Sequence, residues 1–161
     1  MTNSGKDANL AERLLRTRWL VRAPIWLFRA RLGWVFGTRL LLLEHLGRKS
    51  RQPRSAVLEV VDRTDSGYVV ASGFGEQAQW LRNLDAHPEA FVSTGARTRI
   101  PVTARRLPPA EATATLRRYA ARNPRAWAKL RPVLERTLGA RIDESGTTLP
   151  LVALEERCPR G

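Results

Sequence analysis

Cysteine is almost absent from this sequence: Cys158 is the only one. A lone thiol closes no intramolecular disulfide, so the fold must rest on its core, and a reducing, cytosolic setting is the expectation. Histidine is scarce as well, and neither His45 nor His87 stands at a Cys/His/carboxylate spacing that would hold zinc, so no metal site is expected. His45 falls in an apolar strand-like run and reads as a packed side chain, while His87, just before Pro88, reads as a helix terminus. Lysine is the third scarcity. Only Lys6, Lys49 and Lys129 appear among 28 basic residues, so the formal charge of +13 is nearly all guanidinium.

Long apolar runs are missing too. Between Leu10 and Leu43 stand Trp19, Ile25, Trp26, Phe28, Trp34 and Phe36, but Arg13, Arg16, Arg22, Arg29, Arg31 and Arg39 interrupt them. No stretch approaches the roughly 20 apolar residues of a spanning helix, and no apolar core precedes a small-residue cleavage site, so neither a membrane span nor a secretory signal is expected. Residues 1–9 read as a flexible terminus and 10–38 as a basic amphipathic helical segment, broken near Pro24 and Gly33. Its apolar face suits packing on the domain, or peripheral contact with the inner face of a membrane. Both readings stay open here.

What is present fits one globular domain: 161 residues, 43% hydrophobic and 27% charged. The positive charge favours nucleic acid, anionic lipid or an acidic small molecule without choosing among them. Strands are expected at 40–46, 56–61, 68–72, 90–94, 99–105 and 149–154, short and rich in Val, Leu and Ile. Asp65-Ser66-Gly67 and Thr94-Gly95-Ala96 supply hairpin turns. Ile100, Val102 and Ala104 alternate with Arg99, Thr103 and Arg105 as in a half-exposed antiparallel strand, and Pro101 marks an edge or bulge. Helices are expected over 77–86, from Pro108-Pro109 to Asn123, and from Arg125 to Gly139 with a kink at Pro132. Without a regular βαβ alternation, the pattern is α+β around a small antiparallel barrel of about six strands, residues 39–157, with flanking helices.

Chemistry concentrates in two places. The loop Gly47-Arg48-Lys49-Ser50-Arg51-Gln52-Pro53-Arg54 can bring guanidinium, ammonium, hydroxyl and backbone N–H donors to one point, which suits phosphate or carboxylate. It is no P-loop, because the flanking glycines are missing and a strand follows. The second place is Ser72-Gly73-Phe74-Gly75 with Trp80 and Asn83 behind it. This is no nucleophile elbow, and no histidine or acid partner suggests a triad. No catalytic residue is assigned.

In combination the motifs are more specific. A strand, Gly-Arg-Lys-Ser-x-x-x-Arg, a strand, Gly-Tyr-Val-Val-Ala-Ser-Gly-x-Gly and then Trp-x-x-Asn-Leu-x-Ala-x-Pro resembles the deazaflavin-dependent nitroreductase family of actinobacterial oxidoreductases, closely from Leu40 to Arg106 and more loosely beyond. The resemblance implies a split β-barrel and coenzyme F-420, a 5-deazaflavin whose tail carries a phosphodiester and several glutamates. Flavin mononucleotide fits the loop's charge less well. Carried over to this chain, cofactor contacts fall on Arg48, Lys49, Ser50, Arg54, Leu58, Ala71, Ser72, Gly73, Phe74, Gly75, Trp80 and Asn83. The implied reaction is hydride transfer from the reduced coenzyme to an electron-poor small molecule, a quinone or nitro compound, with no protein nucleophile.

Two departures bear on the acceptor. Where some members place several tyrosines around the third helix, this chain has Tyr119 and Trp127, assigned here to the substrate pocket. Gly73 stands where the family often has lysine, and Phe74 where it has glycine. The rival readings are a noncatalytic basic module at a membrane and a carrier of an apolar ligand in the same barrel. Nucleic acid is not expected, since no stacking-aromatic motif or DNA-reading helix is visible. The oligomeric state is not addressed by the sequence.

Overall fold

A computed structural model describes residues 38–138, 142 and 147–157. The expectations for residues 1–37, including membrane contact through the basic segment, lie outside the described residues, as do Gly139 and Cys158.

Six antiparallel strands close a barrel in the order β1-β2-β3-β6-β5-β4. They are β1 (Leu40–Leu46), β2 (Pro53–Thr64), β3 (Gly67–Ala71), β4 (Glu89–Thr94), β5 (Arg97–Arg106) and β6 (Leu151–Glu156). Among the described residues three α-helices are attached: α1 (Gln79–Ala86), α2 (Pro109–Arg122) and α3 (Pro124–Leu138). Within the described residues the six expected strands and the three expected helices are present, with bounds moved by a few residues. The largest extension is in β2, which pairs residue for residue with β1 from Leu40↔Glu59 to Leu46↔Pro53. Arg54 and Ser55 carry no apolar signal, so only pairing reveals that they belong to the strand. At the other end of the range, residues 75–77 form a separate 3-10 turn before α1.

The two-residue periodicity of the strands sorts side chains between two cores. Leu41, Leu43, Leu58, Tyr68, Val70, Val92, Ile100, Val102, Val152 and Leu154 fill the barrel, plugged at one end by Leu81 and Leu84 of α1. Val61, Val69, Leu149, Leu151 and Ala153 face outward and are covered by Ala112, Leu116 and Tyr119 of α2 and Leu134 of α3. Each fully buried leucine contributes roughly 1.5–3 kcal/mol, so a continuous inner row such as Leu41 and Leu43 fixes the register of β1. Pro101 pairs with Phe91 in β4, and the β5–β6 ladder begins one residue later at Val102↔Glu156. Its missing N–H therefore falls at the end of a ladder, where it costs least. Helix α3 continues through Pro132. Among the described residues no helix is long and apolar enough to cross a membrane.

Candidate functional site

The β1–β2 hairpin and α1 enclose a cleft of about 580 Å³ at one end of the barrel. The hairpin loop is built on its own hydrogen bonds: the Gly47 N–H donates to the Gln52 carbonyl and the Arg51 N–H to the Gly47 carbonyl, each at 2.9 Å. The Gln52 N–H reaches Ser50 Oγ at 3.3 Å. A Cβ at 47 would lie 2.7 Å from Ser50 Oγ, so any larger residue there would turn the Ser50 hydroxyl out of its place in the loop. Arg51 takes a left-handed φ of 57°, which turns the chain back into β2.

Helix α1 clasps this loop. Asn83 is 6% exposed, and its Oδ1 accepts both the Arg48 backbone N–H at 3.1 Å and Arg48 Nη1 at 3.2 Å. The same Nη1 donates to Gln79 Oε1 at 2.9 Å, from a residue one helical turn earlier on the same face. Asn83 Nδ2 faces His45 Nδ1 at 3.4 Å. Burial lowers the His45 pKa below its ordinary value of 6.5; a backbone hydrogen bond at Leu46 opposes this and the charge of Arg54 adds to it. The imidazole is thus held neutral at neutral pH.

The helix itself is braced from behind. Arg106 on β5 binds Glu76 in the 3-10 turn at 2.7 and 2.8 Å and Asp85 near the end of α1 at 2.9 and 2.7 Å. Its hydrogen bonds hold both carboxyls below their usual range. The Ser72 hydroxyl, fully buried, donates to the Gly75 carbonyl at 2.7 Å, and Gly75, at φ 60°, returns its N–H to the Ser72 carbonyl at 2.9 Å. That turn holds Phe74 at the cleft with 74% of its surface exposed.

Of the residues singled out from sequence, Arg48, Lys49, Ser50, Arg54, Phe74, Trp80 and Asn83 line this one cleft. The others do not. Leu58 is buried in the barrel core, and Ala71 packs with the outer core. Ser72 and Gly75 form the turn just described, and Gly73 backs onto Leu134 of α3. Tyr119 and Trp127 lie together elsewhere, edge to face at 6.4 Å between ring centres. Tyr119 donates to Glu59 at 2.8 Å, and its hydroxyl is pushed up to about 12, by burial first and then by that bond. Trp127 instead lines a separate cavity of about 560 Å³ between α2 and α3.

Sequence reasoning missed His45, Gln79 and Arg106. A signal existed for two of them: His45 continues the inward row of Leu41 and Leu43, and Gln79 is four residues before Asn83. Arg106 is one of many exposed-face arginines and carries no local signal.

The donor set of the cleft is cationic, and among the described residues no carboxylate lines it. Among the described residues Arg48 has only neutral partners, and Lys49 and Arg54 make no ion pair. The wall behind them is apolar: Ala56, Ala78, Trp80 and Phe74. Such a site accepts a molecule with a planar apolar part and a multiply anionic part. The phosphodiester and glutamate tail and the deazaflavin ring of coenzyme F-420 meet both requirements.

Comparison with known proteins gives the same direction. Residues 22–145 match the family described as F420H(2)-dependent quinone reductase. A structure described as F420-H2 Dependent Reductase (FDR-A) aligns at 20% identity and TM-score 0.51, covering 73% of this chain and 94% of that one. Atu2129, of unknown function, from Agrobacterium tumefaciens aligns at 18% identity and TM-score 0.54, over 85% of this chain and 56% of its own. HutZ, described as a heme storage protein from Vibrio cholerae, aligns at 12% identity and TM-score 0.51, over 78% and 86%. At such identities the likeness is one of fold. No curated protein matches the chain.

Proposed function

We propose that this chain, which belongs to the F-420-dependent quinone reductase family, reduces an electron-poor acceptor, of quinone or nitro type, with hydride from coenzyme F-420 bound in the cleft between the β1–β2 loop and α1. The observation that carries the reading is the cluster of cations with no acidic partner among the described residues, set against an apolar wall. Guanidinium and ammonium groups converging on one concave surface attract an anion and can bind it through charge-assisted hydrogen bonds.

When bound, the deazaflavin supplies the hydride. The protein's part is to bind, align and exclude water. Arg48, Lys49, Arg54 and the Ser50 hydroxyl hold the anionic tail, with Arg48 held by Asn83 and Gln79. Trp80, half-buried against the barrel core, walls the ring. Phe74, exposed at the cleft, offers a flat apolar surface to the acceptor. Residues 10–38 would bring the chain to the inner face of a membrane when the acceptor is lipid-soluble.

The test is a fluorescence titration of the purified protein with oxidised F-420 beside flavin mononucleotide. Saturable binding of the deazaflavin in the micromolar range or tighter is expected, followed by acceptor-dependent oxidation of its reduced form. Preference for flavin mononucleotide would keep the cleft and change the coenzyme. Binding of neither would sink the proposal.

A further inference from the structure

We propose that His45 is a positioning residue for anion binding: it orients the Asn83 amide, and through it the Arg48 guanidinium, by accepting a hydrogen bond at an unprotonated Nδ1. The inference rests on the cleft being the coenzyme site. It starts from a question of direction, since an amide has one accepting end and one donating end.

Asn83 faces two Arg48 donors on one side, at 3.1 and 3.2 Å, and a ring nitrogen on the other, at 3.4 Å. Only oxygen can accept from Arg48, so the NH2 group must point at His45. Two donors cannot face each other, so His45 Nδ1 carries a lone pair and the ring proton sits on Nε2. Both side chains are 6% exposed, which leaves little room for water to substitute. The result is a fixed arm. Arg48 Nη1 is occupied by Asn83 and Gln79, while Nε and Nη2 have no partner among the described residues and can face a ligand.

Protonating His45 would reverse this. Its Nδ1–H would demand an acceptor, the Asn83 amide would turn over to offer Oδ1, and the NH2 group would then oppose Arg48. A backbone hydrogen bond at Leu46 favours that change, but the charges and the burial around the ring outweigh it. Arg54 stands opposite His45 in the β1–β2 register, and Arg48 and Lys49 lie on the adjoining loop. Helix α1 brings only uncharged Gln79, Trp80 and Asn83 to the cleft. The neighbouring carboxylate on β1, Glu44, is bound by Arg99 at 2.8 Å. Burial pushes the imidazole the same way, toward neutrality.

The consequence is a coenzyme affinity that is full above the ordinary histidine range and falls on acidification. Two measurements on the full chain test it. Long-range proton–nitrogen NMR on the apoprotein reads the His45 tautomer directly; an unprotonated Nδ1 at neutral pH is expected, with the Asn83 side-chain amide resonances shifting as the ring titrates. F-420 affinity is then followed from pH 8 to about 5 in the wild type, His45→Gln and His45→Leu, each checked for fold by circular dichroism. Glutamine offers an oxygen to Asn83 without titrating, so it keeps neutral-pH affinity and shows no His45-dependent fall; it also removes any titration of the coenzyme itself from the comparison. Leucine leaves Asn83 undirected, so it weakens binding about tenfold at neutral pH, the upper scale of one hydrogen bond, and shows no His45-dependent fall on acidification.

A ring protonated at Nδ1, or a folded His45→Leu protein that binds F-420 like the wild type, overturns the proposal. Absence of F-420 binding by the wild type at any pH condemns the coenzyme reading instead, while the NMR result still decides the role of His45.

Discussion

Under α2, Arg118 and Arg122 converge on one carboxylate, Asp62, at 3.0 and 2.7 Å, and Asp62 is 8% exposed. At the β1–β2 end of the barrel, Arg48 leans on two neutral amides, and Lys49 and Arg54 meet no acid among the described residues. The two regions use the same kind of side chain for opposite ends. Beneath α2 both guanidinium groups are paired with one buried carboxylate, and what the pairing holds is the helix on the barrel. At the cleft the charge is held in place and meets no acid among the described residues, which leaves it available to the proposed anionic ligand. Net charge cannot make this distinction. Pairing does.

The comparison can be broken most sharply at the cleft. An Arg48→Ala/Lys49→Ala double replacement removes two of its cations and should lower F-420 affinity about a hundredfold or more, the loss of two charge-assisted contacts, measured by fluorescence titration. Its melting temperature should hardly move, because neither cation is paired with an acid. The opposite pattern is expected under α2. Asp62→Asn leaves two guanidinium groups facing each other without compensation and should destabilise the fold by about 2 kcal/mol, read by denaturant unfolding, with coenzyme affinity unchanged.

Asp62 also has a pH signature. Burial pushes its pKa up, but the hydrogen bonds from Arg122, Arg118 and the Arg63 amide, with the charge of Arg122, together hold it below the ordinary 3.8. A depressed carboxyl stabilises the fold above its unfolded value, and that stability is lost as pH falls through the folded one. The wild type should therefore lose this contribution below about pH 4, and Asp62→Asn should not.

Gln79→Glu makes the cleft resemble the paired region. A carboxylate at the end of the 2.9 Å contact would neutralise Arg48 and should weaken F-420 binding about tenfold, with fold and melting temperature retained. The smallest effect belongs to a paired arginine at the surface. Arg97 grips Glu156 at 2.7 and 2.8 Å, but with more than half its side chain in water. Arg97→Ala should cost under about 1 kcal/mol and leave binding unaltered. A large drop in coenzyme affinity there would erase the distinction between the two regions.

The fold was legible to the degree that apolar periodicity carried it. Leu41 and Leu43, Tyr68 and Val70, and Ile100 and Val102 repeat every second residue and all point into the barrel. The ends of elements were less visible, since Arg54 and Ser55 extend β2 only by pairing with β1. Of the candidate site, the contiguous loop 48–54 was readable, because neighbours in sequence are neighbours in space. Ser72 and Gly73 stand close to the cleft in sequence yet face a turn and α3, since a buried hydroxyl satisfies itself on the nearest carbonyl. Tyr119 and Trp127 were placed at the substrate pocket by analogy of position along the chain, and the packing of α2 and α3 sets them on another side of the barrel.

By itself the sequence determined the class of structure, since short alternating strands favour an antiparallel sheet, and it supplied the ground for proposing an anionic ligand, a loop dense in guanidinium groups beside an ammonium. It also carried the family resemblance, in motifs that the family match over residues 22–145 includes. What tertiary structure alone decided is which charges remain available. Asp62 and Arg122 are 60 residues apart and Arg48 and Asn83 are 35. Hydrogen bonds and ion pairs act over about 3 Å, so only closure of the barrel determines which arginines find a carboxylate and which are left facing the cleft.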